Sequence, residues 1–173
     1  MHYYVGIAAL SDEPSSYLVD NVKDFIDNIA PHKDKIRFVL GGYWGLMKYI
    51  ADYASSKGFK VIFILPEYPR ENPPRKDNFI IVRTELGYRT RSIILAMTSD
   101  ILVCAGGRVG SIIEVMISYS FSKPIIVLRN TGLDTDKLEE GFKEYIDSRR
   151  LARIYYVDKG ADIAGKVIEL LNL

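Results

Sequence analysis

Short runs in which nearly every position is apolar alternate along this chain with longer stretches whose apolar positions recur at helical spacing. Seven runs read as strands: residues 3–9, 36–40, 60–65, 79–82, 101–104, 125–128 and 154–157. Six stretches read as helices: 16–29, 45–56, 89–98, 111–121, 135–147 and 161–171. In the second helix Leu46, Met47, Ile50, Ala51 and Ala54 form one stripe fit to lie on a sheet, and Gly58 stands where a left-handed residue ends a helix. Strands that are apolar at almost every position are expected when helices cover both sheet faces. The alternation therefore predicts an α/β, three-layer arrangement with a mainly parallel sheet, residues 1–173 forming one domain. In such sheets ligands bind beyond the carboxyl ends of the strands. That directs attention to the loops GGYWG, PEYPRENPPRKDN and AGGRVGS, which follow the second, third and fifth strands.

Composition narrows the ligand. Lys and Arg number 23 against 22 Asp and Glu, a net charge of +1, so the chain lacks the global positive field that drives binding to nucleic acid or an anionic membrane. A small molecule is the expected partner. The single cysteine, Cys104, lies inside the run ILVCA; it cannot form an intramolecular disulfide and is expected to be a buried, inert thiol, in keeping with a reducing cytoplasm. The amino terminus has no signal-peptide pattern and no apolar run reaches the roughly 18 residues of a membrane span, so a cytoplasmic protein is expected. His2 and His32 stand apart, with no cluster of ligands at metal-binding spacing, and no protein-bound metal is expected.

Both glycine loops follow a strand and open a helix, where free N–H groups and the helix dipole favour an anion. Neither is a dinucleotide G-x-G-x-x-G fingerprint or a Walker loop. The first reads LGGYWGLMK, with Gly41, Gly42, Gly45, Leu46 and Met47; the second reads GGRVGSIIE, with Gly106, Gly107, Arg108, Gly110, Ser111 and Glu114. Arg91 stands nine residues before Asp100, just ahead of the fifth strand. These segments resemble the GGGxxGLMG and PGGxGTxxE motifs of the Lonely Guy (LOG) family, once mislabelled lysine decarboxylases, and most closely its short branch of molybdenum-cofactor-carrier-like proteins. The resemblance covers about Tyr4 to Leu128.

That resemblance implies a Rossmann-like fold, a nucleotide or molybdopterin-type ligand, no required cofactor, and a homodimer or higher homo-oligomer. It also implies, for the enzymes of the family, cleavage of the N-glycosidic bond of a nucleoside 5'-monophosphate, with Glu114 and Arg91 as the catalytic pair. The alternative is a non-catalytic carrier or sensor of a phosphorylated cofactor such as molybdopterin. Two departures favour the alternative: the lysine that follows the arginine in the enzymes is Ser92 here, and Arg108 replaces a glycine. Ala8 and Ala9 likewise stand where relatives carry glycine and serine.

Several residues carry two readings. Glu114 is either the catalytic carboxylate or half of a Ser111-x-x-Glu114 capping box. Ser111 donates to phosphate or caps its helix. Arg91 grips a phosphate or ribose, or is a solvated helix residue. Arg108 either neutralises phosphate or demands a backbone that glycine gives freely. Tyr43 and Trp44 stack on a base or cover a helix start. Arg70, Arg75 and Lys76, interleaved with acidic residues, read as a solvated mixed-charge loop. The apolar positions of helix 111–121, from Ile112 and Ile113 to Ile117 and Tyr119, are too broad for one sheet face and suggest self-association.

Overall fold

The structure, a computed structural model, describes all 173 residues, Met1–Leu173. Seven parallel strands form one sheet in the order β4-β3-β2-β1-β5-β6-β7. They are β1 (Tyr3–Ala8), β2 (Ile36–Leu40), β3 (Lys60–Leu65), β4 (Phe79–Arg83), β5 (Ile101–Cys104), β6 (Ile125–Leu128) and β7 (Ile154–Val157). Helices α1 (Ser16–Ile29), α2 (Leu46–Ser56) and α6 (Gly160–Leu171) cover one face, and α3 (Tyr88–Thr98), α4 (Val109–Ser120) and α5 (Lys137–Gly141) the other. The three-layer α/β fold expected from the pattern is present, Rossmann-like as the resemblance implies, and its sheet is parallel throughout.

Alternation along the strands sorts the core into two layers. Val5, Ile7, Phe38, Leu40 and Phe63 point toward α1, α2 and α6, while Val39, Ile62, Leu102 and Cys104 point toward α3 and α4. Cys104 is fully buried, and loss of solvation pushes its thiol up to about 12. Lys57 closes α2, and Gly58 follows with φ of +88°, the left-handed stop its position predicts. No helix is long and apolar enough to cross a membrane.

The chain lays down β1 to β4 outward on one side, then returns to place β5 against the other edge of β1. Loops from β1 and β5 therefore part in opposite directions and open a crevice above their carboxyl ends.

One predicted helix is much shorter than its pattern. The stretch 135–147 forms a short 3-10 turn at Asp134–Asp136 and then α5, which stops at Gly141. Glycine is a poor helix interior residue, and Phe142 turns extended to pack on the α3–α4 core layer. Tertiary bonds hold the irregular segment beyond Phe142: Tyr119 Oη donates to Asp147 Oδ1 at 2.9 Å and accepts from the N–H groups of Asp147 and Leu151 at 3.2 and 3.3 Å. Arg129, beyond the reach of the motif reading, clamps the adjoining loops by a two-pronged bond to Asp158 at 2.7 and 2.8 Å and one to Glu139 at 2.8 Å.

Tyr119→Phe keeps the ring and removes this hub, so about 1–3 kcal/mol of stability is expected to be lost for the amides left unpaired. Urea unfolding measures the loss, and amide exchange between Phe142 and Leu151 is expected to quicken first.

Candidate functional site

The crevice holds a cleft of about 400 Å³. Its floor comes from the head of α4. Gly106, with φ of +99°, turns the chain after β5, and Gly107 lies so close to Ser111 Oγ that a Cβ would collide with it. Arg108 caps the helix with φ of −106° and ψ of −156°, extended backbone open to any residue, so it imposes no conformation that glycine alone allows. The helix thus begins at Val109, two residues before the expected start. This overturns the capping-box reading, because Ser111 and Glu114 lie inside the helix and both face inward. The N–H groups of Val109, Gly110 and Ser111 have no backbone acceptor, and all three residues line the cleft.

Helix α3 runs beside α4 and supplies the other wall. Arg91 and Ser92 are buried, with Arg91 only 6% exposed, which removes the solvated reading of this residue. Arg91 Nη1 donates to Glu114 Oε1 at 3.0 Å, and the Ser92 hydroxyl reaches the same oxygen at 2.9 Å. Burial pushes the Glu114 carboxyl above the usual carboxylate range, against the opposing pull of Arg91 and Ser92. Arg91 Nε is buried without any hydrogen-bond partner.

The first glycine loop acts on this site from behind. A Cβ on Gly41 would collide with Nη1 of Arg91, and one on Gly42 with the ring of Trp44. Gly45, with φ of +54°, lets the loop pass the β1–α1 turn, where a Cβ would come 2.6 Å from the Asp12 carbonyl. Gly41, Gly42, Gly106 and Gly107 are buried and Gly45 half-buried, and all five lie outside the cleft lining, whereas Arg91, Arg108, Gly110, Ser111 and Glu114 are in it. Trp44 lines the cleft edge-on to Tyr88. Tyr43 does not; its ring packs on Phe63 and Phe79 and its hydroxyl donates to Asp52.

Two further arginines line the cleft, neither of them a site residue by its sequence. Arg89 lies over the first turn of α4, its Nη1 3.4 Å from where a Gly110 Cβ would be. Arg70 comes from the proline-rich loop after β3 and lines the cleft with its side chain still 57% exposed and paired with Asp12, so it is solvated and part of a mixed-charge cluster as expected; Arg75 is exposed too, and Lys76 pairs with Asp52 at 2.8 Å. Ser11, also in the lining, supplies a polar group two residues beyond the alanine pair. The one available signal for Arg70 was its place in a loop following a strand.

The profile of the SLOG cluster4 family matches residues 2–159. An uncharacterized protein of Archaeoglobus fulgidus is 34% identical over 94 residues, a stretch covering 51% of this chain and 57% of that protein, less than two thirds of its length. Among solved structures, the crystal structure of TM1055, a structural-genomics target, superposes with a TM-score of 0.84 at 28% identity over 97% of this chain and 99% of that one. The molybdenum cofactor carrier protein of Chlamydomonas reinhardtii superposes with a TM-score of 0.80 at 23% identity, covering 100% of each chain.

Arg91→Met leaves the Glu114 carboxyl buried without its counter-charge, which costs about 3–5 kcal/mol when the carboxyl is ionised. A carboxyl whose folded pKa lies above its unfolded value contributes its full stability below the unfolded value and loses it as pH rises through the folded one. Burial already raises the Glu114 pKa, and removing Arg91 raises it further. The deficit of the variant, read from urea unfolding, is therefore expected to be larger at about pH 8 than at about pH 5.

Proposed function

The chain belongs to the SLOG cluster4 family, and on that premise we propose that the cleft binds a small phosphorylated ligand, a nucleotide or a molybdopterin-type cofactor, which the protein carries or senses. Arg91 carries the reading. A guanidinium has five N–H donors, and this one, buried in the wall of a cleft, has a single hydrogen bond. Unfilled donors in a buried group are costly, and a phosphate offers the acceptors that relieve them. The free amides of Val109, Gly110 and Ser111 add a helix N-terminus, where the dipole favours an anion, and Arg89 and Arg108 add charge.

In this reading Gly106, Gly107 and Gly110 shape the phosphate turn with Ser111, and Arg108 neutralises charge. Gly41, Gly42 and Gly45 act indirectly, by admitting Arg91, Trp44 and the β1–α1 turn. The likeness to the algal carrier protein supports a carrier, as does Ser92, which holds Glu114 where the enzymes have lysine.

A phosphoribohydrolase is the second reading, favoured by the placement of Glu114. A carboxyl in the cleft with a raised pKa has the chemistry to stabilise an oxocarbenium ion on ribose and to take a proton from water.

Self-association is part of the same proposal. Ile93 and Met97 of α3 and Val109 of α4 are exposed, and Ile113 and Ile117 half-buried, on helices packed side by side. Exposed apolar side chains gathered on two neighbouring helices suit an interface, and a second copy of the chain is the proposed occupant.

Titration with nucleoside 5'-monophosphates and with molybdopterin is expected to give saturable binding without release of free base. Base release that disappears in Glu114→Ala would establish the hydrolase instead, and failure to bind any phosphorylated ligand overturns both readings. Sedimentation at micromolar concentration is expected to find a dimer or larger, converted to monomer by Met97→Lys; a wild-type monomer overturns the oligomer.

A further inference from the structure

Resting on the reading of the cleft as an anion site, we infer that its ligand carries a second phosphate linked to the first, and that Arg70 and Arg108 bind this second group at the cleft mouth. The class is a diphosphate ester, such as a nucleoside 5'-diphosphate.

The charge inside the cleft is out of proportion to the near-neutral chain around it. Four guanidinium groups, Arg70, Arg89, Arg91 and Arg108, line one cavity whose only lining carboxylate is Glu114. Glu114 is committed to Arg91 at 3.0 Å. Arg89, over the first turn of α4, stands with the free amides there and serves a first phosphate.

Arg70 and Arg108 make a separate pair. They come from different loops, after β3 and after β5, and meet on one carboxylate of the β1–α1 turn. Arg70 Nη1 lies 3.4 Å from Asp12 Oδ1, and Arg108 Nη1 donates to Asp12 Oδ2 at 2.7 Å. An oxyanion therefore already sits between the two guanidiniums, supplied by the protein itself. It balances only one of the two charges. The Asp12 side chain is 43% exposed, so it can swing into water, and a terminal phosphate would bring more charge and three acceptor oxygens to the same place. A monophosphate seated at the head of α4 leaves this pair unused. A diphosphate engages both sets.

Calorimetric titration of the full chain at low salt with inorganic phosphate and with inorganic pyrophosphate separates the two sets without invoking a base. Pyrophosphate is expected to bind at least about tenfold tighter than phosphate, a difference of about 1.4 kcal/mol. That ratio is expected to collapse toward one in Arg70→Ala and to widen in Asp12→Asn, which frees both guanidiniums. Arg75→Ala, in the same loop but outside the cleft, is expected to keep the wild-type ratio. These exposed positions lie outside the core, and an unchanged urea midpoint checks that each variant is folded. Equal affinity for the two anions, or a ratio that survives Arg70→Ala, overturns the second phosphate while leaving the anion site standing. Binding of neither anion overturns the anion site, and the second phosphate with it.

Discussion

A guanidinium and a carboxylate buried side by side hold the cleft end of this molecule together. Taking two ions out of water costs several kcal/mol each, and that cost is offset only when geometry and further hydrogen bonds are good. The Arg91–Glu114 pair meets the condition in part. Ser92 reinforces the carboxylate, but the guanidinium keeps open donors and an orphaned Nε. An apolar pair would bind α3 to α4 at less expense. What the ion pair adds is an anchored cation with bonding capacity to spare, placed where a ligand can reach it.

Much of the surrounding chain exists to make room for that pair. The Arg91 guanidinium presses on the backbone at Gly41, so the loop after β2 has no space for a side chain there. Gly45 lets the same loop pass under the β1–α1 turn, which in turn presents Asp12 to the arginines of the mouth. The return of the chain from β4 to β5 opens the crevice that these loops line. Sheet order and the spacing of a few glycines therefore act on the same point from opposite sides.

The strands were legible in the sequence almost to the residue, since a strand buried on both faces writes itself as an unbroken apolar run. Helices α1, α2 and α6 were legible from their single apolar stripes. The stretch after Gly141 was misread, because its polar and apolar positions imitate a helix while Tyr119, far away in sequence, claims its amides. The start of α4 was misread for a related reason. Ser111-x-x-Glu114 has the local pattern of a cap, but the serine fits against Gly107 and the glutamate is drawn to α3.

From the sequence alone came the α/β fold, the two turns that need glycine, and the candidacy of Arg91, Glu114 and the second glycine loop. Each depends on local periodicity, on φ at one residue, or on motif spacing, all of which are properties of short segments. Tertiary structure alone decided that Arg91 is buried rather than solvated, that Gly41 and Gly42 serve side chains, and that Arg70, Arg89 and Arg108 share one cleft. Those facts are meetings of residues up to 96 positions apart, as Asp12 and Arg108 are. Such meetings are set by strand order and helix packing, which no short segment encodes.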